Sequence, residues 1–185
     1  MDLLSILVAA LFAQEPAGGP PPPKVEYYDV TGATAKELRQ SLDSNRPGGK
    51  SSRFGDGRVK WFVHWDYHYN CDTGCRITDA TTSVDVSMFL PRWGARGSAA
   101  PELAAQWDRY MRALRLHEDG HEALARDAGA AIGKRLLSLG DFKNADDLAA
   151  GVDRAANALL AEYQSREVGY DLKTVHGVVQ GATFP

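Results

Sequence analysis

The sequence has little of three features that mark well-known classes of protein: cysteine, unbalanced charge and long apolar runs. Its two cysteines cannot complete a four-cysteine metal site. A net charge of −3 gives no electrostatic reason to expect nucleic acid as a partner. The apolar run at residues 3–13 would cover roughly 17 Å as a helix, too short for a bilayer core of about 30 Å. We therefore expect no stable membrane insertion of the mature protein.

The amino terminus indicates an exported protein. Residues 1–13 predict a signal peptide with cleavage after Ala13, although Asp2 stands where a basic residue is the norm. Residues 14–24 are rich in proline and glycine and predict an extended linker. Residues 25–185 are then expected to form a single domain in a secreted, periplasmic or cell-envelope location.

Alternating side chains predict a small sheet. A short strand is expected at Val25–Val30. Apolar and polar residues alternate from Arg58 to Asn70, and Thr, Val and Ser residues predict a second strand from Arg76 to Leu90. Pro91 is expected to end that strand, because proline lacks a backbone donor. The two strands together predict an antiparallel hairpin.

The cysteines lie at the expected tip of this hairpin, in the segment Cys71-Asp72-Thr73-Gly74-Cys75. Two cysteines with a glycine between them predict a disulfide, which an exported location permits. The alternative is half of a metal site, for which the sequence offers no second cysteine pair.

Two long helices are expected after the hairpin. Apolar residues recur at steps of three or four from Pro101 to Leu139, and again in a helix from Asn144 to Glu167. The short connection makes the helices antiparallel neighbours. The tail, Gly169–Pro185, is expected to be irregular. The sequence thus predicts an α+β fold, in which a small antiparallel sheet packs on a long helix of a helical hairpin.

The first of these helices carries an H-E-x-x-H motif. His117 and His121 lie one turn apart on its predicted apolar stripe, so both imidazoles can reach one zinc ion. Glu118 lies about 100° around the helix, where a general base for the attacking water belongs. Gly120 is costly inside a helix and predicts that another backbone or a substrate passes close to this face. The alternative is a pair of satisfied core histidines.

A catalytic zinc site usually has a third protein ligand, which the motif does not contain. The return helix spans roughly 35 Å, so its end is expected level with the motif. His176 is the first candidate, because imidazole is a good zinc ligand and a histidine in a glycine-rich tail has little packing role. Glu162 and Asp171 are the alternatives.

The chain resembles a bacterial family described as predicted secreted zinc-dependent proteases, otherwise of unknown function. The resemblance covers roughly residues 25–185. It implies a zincin-like fold and peptidase activity, and it also draws attention to His176. The residues that carry it are Tyr27-Tyr28-Asp29-Val30-x-Gly32, Glu37-Leu38, Trp61 and Trp65, Leu90-Pro91-x-Trp93, Trp107, His117-Glu118-x-Gly120-His121, and Tyr170-Asp171-x-x-Thr174-x-His176-Gly177-x-x-Gln180-Gly181-Ala182.

These observations predict an exported zinc metallopeptidase that acts on a peptide or protein substrate. One zinc ion would be held by His117, His121 and His176, with Glu118 as general base. Tyr170 and His68 are weaker candidates for holding the oxyanion. Two other functions remain open: a metal-binding or structural envelope protein without turnover, and a zinc amidase that acts on a cell-wall component.

Overall fold

The computed structural model describes residues 20–49 and 55–185. The predicted signal peptide, residues 1–13, and residues 14–19 of the predicted linker lie outside these ranges. Within them, none of the helices combines the length and apolarity needed to cross a bilayer.

Three strands form one sheet, in the order β1-β3-β2. The strands are β1 (Lys24–Val30), β2 (Arg58–Asn70) and β3 (Arg76–Trp93). The predicted antiparallel hairpin is confirmed in β2 and β3. The sheet as a whole is mixed rather than antiparallel, because β1 pairs with β3 in the parallel direction. Helix α1 (Ala35–Asn45) lies in the connection between β1 and β2, which stand on opposite sides of β3.

Pro91 does not end β3, contrary to the prediction. It pairs with Tyr28 of β1, and the strand continues to Trp93. The pairing of β2 with β3 stops at Arg58 and Phe89, so at Pro91 the strand β3 has a partner on one side only. Proline is tolerated at such one-sided positions because no ladder there depends on its missing N–H group.

The α+β fold is confirmed, with the long helix α2 (Pro101–Leu137) packed on the sheet and antiparallel to α3 (Ala145–Thr174). The two packing surfaces are very close: a Cβ atom at Gly129 would lie 2.5 Å from Val84 Cγ2. Two clusters of buried side chains hold the layers together. One contains Leu38, Met88, Trp107 and Tyr110, and the other contains Ile77, Ile132, Leu136 and Leu148.

The disulfide between Cys71 and Cys75 is present at the hairpin tip, as predicted. Buried Cys75 also exchanges two backbone hydrogen bonds with Phe142, each 2.8 Å long. These bonds attach the hairpin tip to the connection between α2 and α3. The end of the helical pair that holds this connection is therefore fastened to the sheet.

Helix α3 is longer than predicted. It runs about two turns beyond Glu167, to Thr174, and includes residues that were expected in an irregular tail. Gly169 does not break it, and a Cβ atom there would meet nothing within 4 Å. The helix ends on a left-handed turn in which Val175 and His176 both have positive φ angles, 51° and 50°. Asp171 therefore lies on a helix and not in the tail.

Candidate metal centre

The two histidines of the motif are buried side by side on α2. His117 is 4% exposed and His121 is 9% exposed, and their ring centroids lie 4.9 Å apart. Each presents Nε2 to the same carboxylate oxygen, Oδ1 of Asp171, at 3.2 and 3.1 Å. One ligand atom from each of the three residues lies within 4.8 Å of the other two. This is the spacing that one metal ion requires of its ligands.

Asp171, which the sequence offered only as an alternative to His176, is the carboxylate that faces both histidines. The continued α3 helix points it at the histidines, whereas a helix that ended near Glu167 would have left it in the tail. Burial alone would raise the pKa of Asp171, but its hydrogen bonds with His117 and His121 hold that pKa well below the usual range. The carboxylate is thus ionised at neutral pH and available to a cation.

Other side chains fix the orientation of the imidazoles. His117 Nδ1 lies 3.0 Å from Gln180 Oε1, and the Gln180 amide donates to the Tyr170 hydroxyl at 3.1 Å. His121 Nδ1 lies 3.4 Å from Glu167 Oε1. With Nδ1 occupied in this way, each Nε2 is turned toward Asp171, as in metal sites whose histidines are held by outer hydrogen bonds.

The centre favours positive charge. Burial lowers the pKa of His121, yet the hydrogen bonds with Asp171 and Glu167 outweigh burial and raise it to about 9. The carboxylates therefore attract a proton to the histidine in the absence of another cation. The same electrostatics favour a divalent metal ion, which would replace that proton.

Tyr170 explains the glycine inside the motif. Its ring stacks on His117 at 5.1 Å and meets His121 edge-on at 5.0 Å. A Cβ atom at Gly120 would lie 2.2 Å from the Tyr170 hydroxyl, so the close approach at this glycine is made by a side chain and not by the backbone or substrate that was predicted. Tyr170 OH donates to the His117 carbonyl at 3.3 Å and so packs behind the histidines. His68 is exposed on β2 and does not line the cavity described next.

Glu118 lines an open cavity of about 530 Å³ together with His117 and His121. It is only 2% exposed, and burial raises its pKa to about 7 despite the opposing charges of His121 and His117. A carboxyl group whose pKa is near neutrality can both accept and return a proton, which is the behaviour of a general base. The cavity is also lined by Gly57, Arg58, Val59, Gln164, Glu167, Val168, Asp171 and His176.

His176 is near the centre but outside its tightest group. Its Nδ1 atom lies 3.4 Å from Asp171 Oδ1, and 44% of its side chain is exposed in the cavity wall. The alternative ligand Glu162 lies elsewhere. It pairs with Arg166 on the surface of α3 and lines a different cavity with Arg135.

Sequence reasoning missed Asp56, which belongs to no motif. Asp56 is 7% exposed and accepts two hydrogen bonds of 2.7 Å from Arg39 and one of 2.9 Å from Tyr110. Its carbonyl accepts from Tyr28 at 2.6 Å. The partners come from α1, α2 and β1, which are far apart in sequence, and no local pattern reveals them. The network fixes Gly57 over Glu118.

Comparison with known proteins gives a family without an assigned activity. Residues 25–177 match the family described as Bacterial protein of unknown function (DUF922). The matched range includes the motif on α2, Asp171 and His176. No curated protein and no solved structure matches the chain.

Proposed function

The chain belongs to this bacterial family of unknown function, and from the geometry of the centre we propose that it is a zinc-dependent metallopeptidase. The observation that carries the proposal is the convergence of His117, His121 and Asp171 beside buried Glu118. Two imidazoles and one carboxylate form a ligand set typical of catalytic zinc, and they leave a coordination position open.

The ligands would hold one zinc ion. When bound, the ion supplies Lewis-acid chemistry, since it polarises a carbonyl group and acidifies water. Asp171 takes the third position in this proposal because its Oδ1 atom faces both Nε2 atoms within 3.2 Å. His176 remains the rival third ligand, since it lies 3.4 Å from the same oxygen.

Glu118 would act as the general base. Its carboxylate accepts the proton of the water that attacks the scissile carbonyl, and then returns the proton to the leaving amine. A pKa near 7 suits both steps. Burial and contact with Gly57 hold the carboxylate in place, so little reorganisation is needed during the reaction.

The sheet supports a peptide as the substrate. β2 is an edge strand, and its first residues, Arg58 and Val59, line the cavity. An extended peptide that pairs with such an edge would pass directly over the centre. The Cys71–Cys75 disulfide supports the proposal of an exported location, because disulfides persist in oxidising compartments.

The Glu118→Gln variant tests the proposal. We expect it to bind zinc at the same stoichiometry as the wild type and to lose hydrolysis of a mixed peptide library, read by mass spectrometry with and without chelator. Glu102→Gln is the matched control, because Glu102 is an exposed glutamate in the first turn of the same helix, far from the motif. Zinc binding without hydrolysis by the wild type would favour the metal-binding protein. Cleavage of cell-wall amides but not of peptides would favour the amidase.

A further inference from the structure

Beside the candidate centre, the surface carries an unusual concentration of exposed aliphatic side chains. Half of the ten large hydrophobic residues that are exposed in the described part of the chain lie within residues 168–179. We call this group the apolar ridge. Its members are Val168 (60% exposed), Leu172 (72%), Val175 (56%), Val178 (52%) and Val179 (68%). Single exposed apolar residues are ordinary, but contiguous groups mark interaction sites.

The ridge is continuous with the cavity of the centre. Val168 lines the cavity that contains Glu118 and His121. Val175 and Val178 line an adjoining cavity of about 380 Å³, and both cavities share Gly55 and His176 as walls. On α3, Val168 precedes Asp171 by three residues, which places both on one face of the helix. Val175 follows directly after the last helical residue, Thr174.

Val175 shows that the ridge costs stability. It is a β-branched residue with φ 51° and ψ 52°, a left-handed conformation that such residues rarely adopt. Its side chain is mostly exposed, so core packing does not offset this strain. Strained residues of this kind concentrate at functional sites, where contact with a ligand accounts for them.

We propose that the apolar ridge is a substrate subsite, which binds an aliphatic or aromatic side chain next to the scissile bond of an extended peptide. The proposal rests on the peptidase function proposed above. A peptide that crosses the centre along β2 would reach the ridge at Val168, because Val59 of β2 and Val168 line the same cavity. The occupant is thus a substrate chain and not a second copy of the protein.

The test compares the double variant Val168→Gln, Leu172→Gln with the wild type. The wild type is expected to cleave a peptide library mainly beside apolar residues. The double variant should lower kcat/KM for those peptides by roughly tenfold or more, chiefly through KM, since apolar pockets discriminate by about this factor. Zinc content should stay unchanged. Leu137→Gln is the matched control, because Leu137 is 52% exposed at the far end of α2.

The outcomes separate the two proposals. Zinc-loaded Glu118→Gln protein on an immobilised peptide array reports binding without turnover. If this variant binds apolar peptides on the array but the wild type cleaves none of them, the result would support peptide binding by the ridge and overturn the peptidase function. Cleavage without apolar preference, or a double variant that cleaves like the wild type, would overturn the ridge alone. A double variant that changes only the sedimentation coefficient would assign the ridge to a second copy and also overturn it.

Discussion

Gly57 and Glu118 are in such close contact that a Cβ atom on Gly57 would lie 2.3 Å from Glu118 Oε1. No residue with a Cβ atom could occupy position 57 without moving the Glu118 carboxylate, since Cβ contacts in proteins are not this short. The absence of a side chain at position 57 is therefore a condition for the position of the proposed general base.

Gly57→Ala should consequently displace Glu118. We expect hydrolysis to fall by about a hundredfold, the usual effect of moving a catalytic group by about 1 Å, while zinc stoichiometry stays unchanged. Gly97→Ala is the control, because a Cβ atom there meets nothing within 4 Å. Full activity in the Gly57→Ala variant would show that the contact does not position the base.

The identity of the third ligand can be decided by metal affinity. Asp171→Ala should weaken zinc binding by more than the 10- to 100-fold typical of outer-sphere changes, because it removes a direct ligand. His176→Ala should weaken it by no more than that range. Competition with a fluorescent chelator measures both. The reverse order would make His176 the third ligand, as the sequence first indicated.

Acid should destabilise the protein through Asp56. Burial alone would raise the pKa of Asp56, but the hydrogen bonds and charge of Arg39 outweigh it and leave that pKa below the ordinary value. A depressed folded pKa contributes stability above the unfolded pKa of about 3.9, and this contribution is lost as pH falls through the folded pKa. Urea unfolding at pH 7 and at pH 3 checks this.

The Asp56→Asn variant sets the scale of that effect. It should be about 2 kcal/mol less stable than the wild type at neutral pH, the order expected for hydrogen bonds to a charged group. It should also lose less stability than the wild type between pH 5 and pH 3. An equal loss in both proteins would assign the acid sensitivity to other carboxyl groups.

Relief of strain at Val175 should stabilise the fold. Asparagine tolerates the left-handed conformation, so Val175→Asn is expected to raise the free energy of unfolding by about 1 kcal/mol. Val179→Asn is the matched control, because Val179 is also exposed but has no positive φ angle. Thermal and urea denaturation measure the difference. A destabilised Val175→Asn variant would mean that the side chain contributes more than strain.

The sequence predicted the parts of the centre that depend on local periodicity. A three-to-four-residue apolar repeat placed His117 and His121 on one face of a helix, the motif identified Glu118, and β2 was placed correctly from its alternation. Asp171 was expected in an irregular tail, whereas α3 continues past it and both Tyr170 and Asp171 pack against the histidines. Asp56 could not be found, since its partners lie 10 to 54 residues away in sequence.

The position of the centre relative to the helix connection has a mechanical consequence. At one end, α2 and α3 are joined by a short connection that Cys75 holds to the sheet. At the other end they meet through His121 and Asp171, which are 50 residues apart. An ion bound there would act as a non-covalent crosslink that closes this 50-residue loop, so chelation should cost folding stability as well as activity.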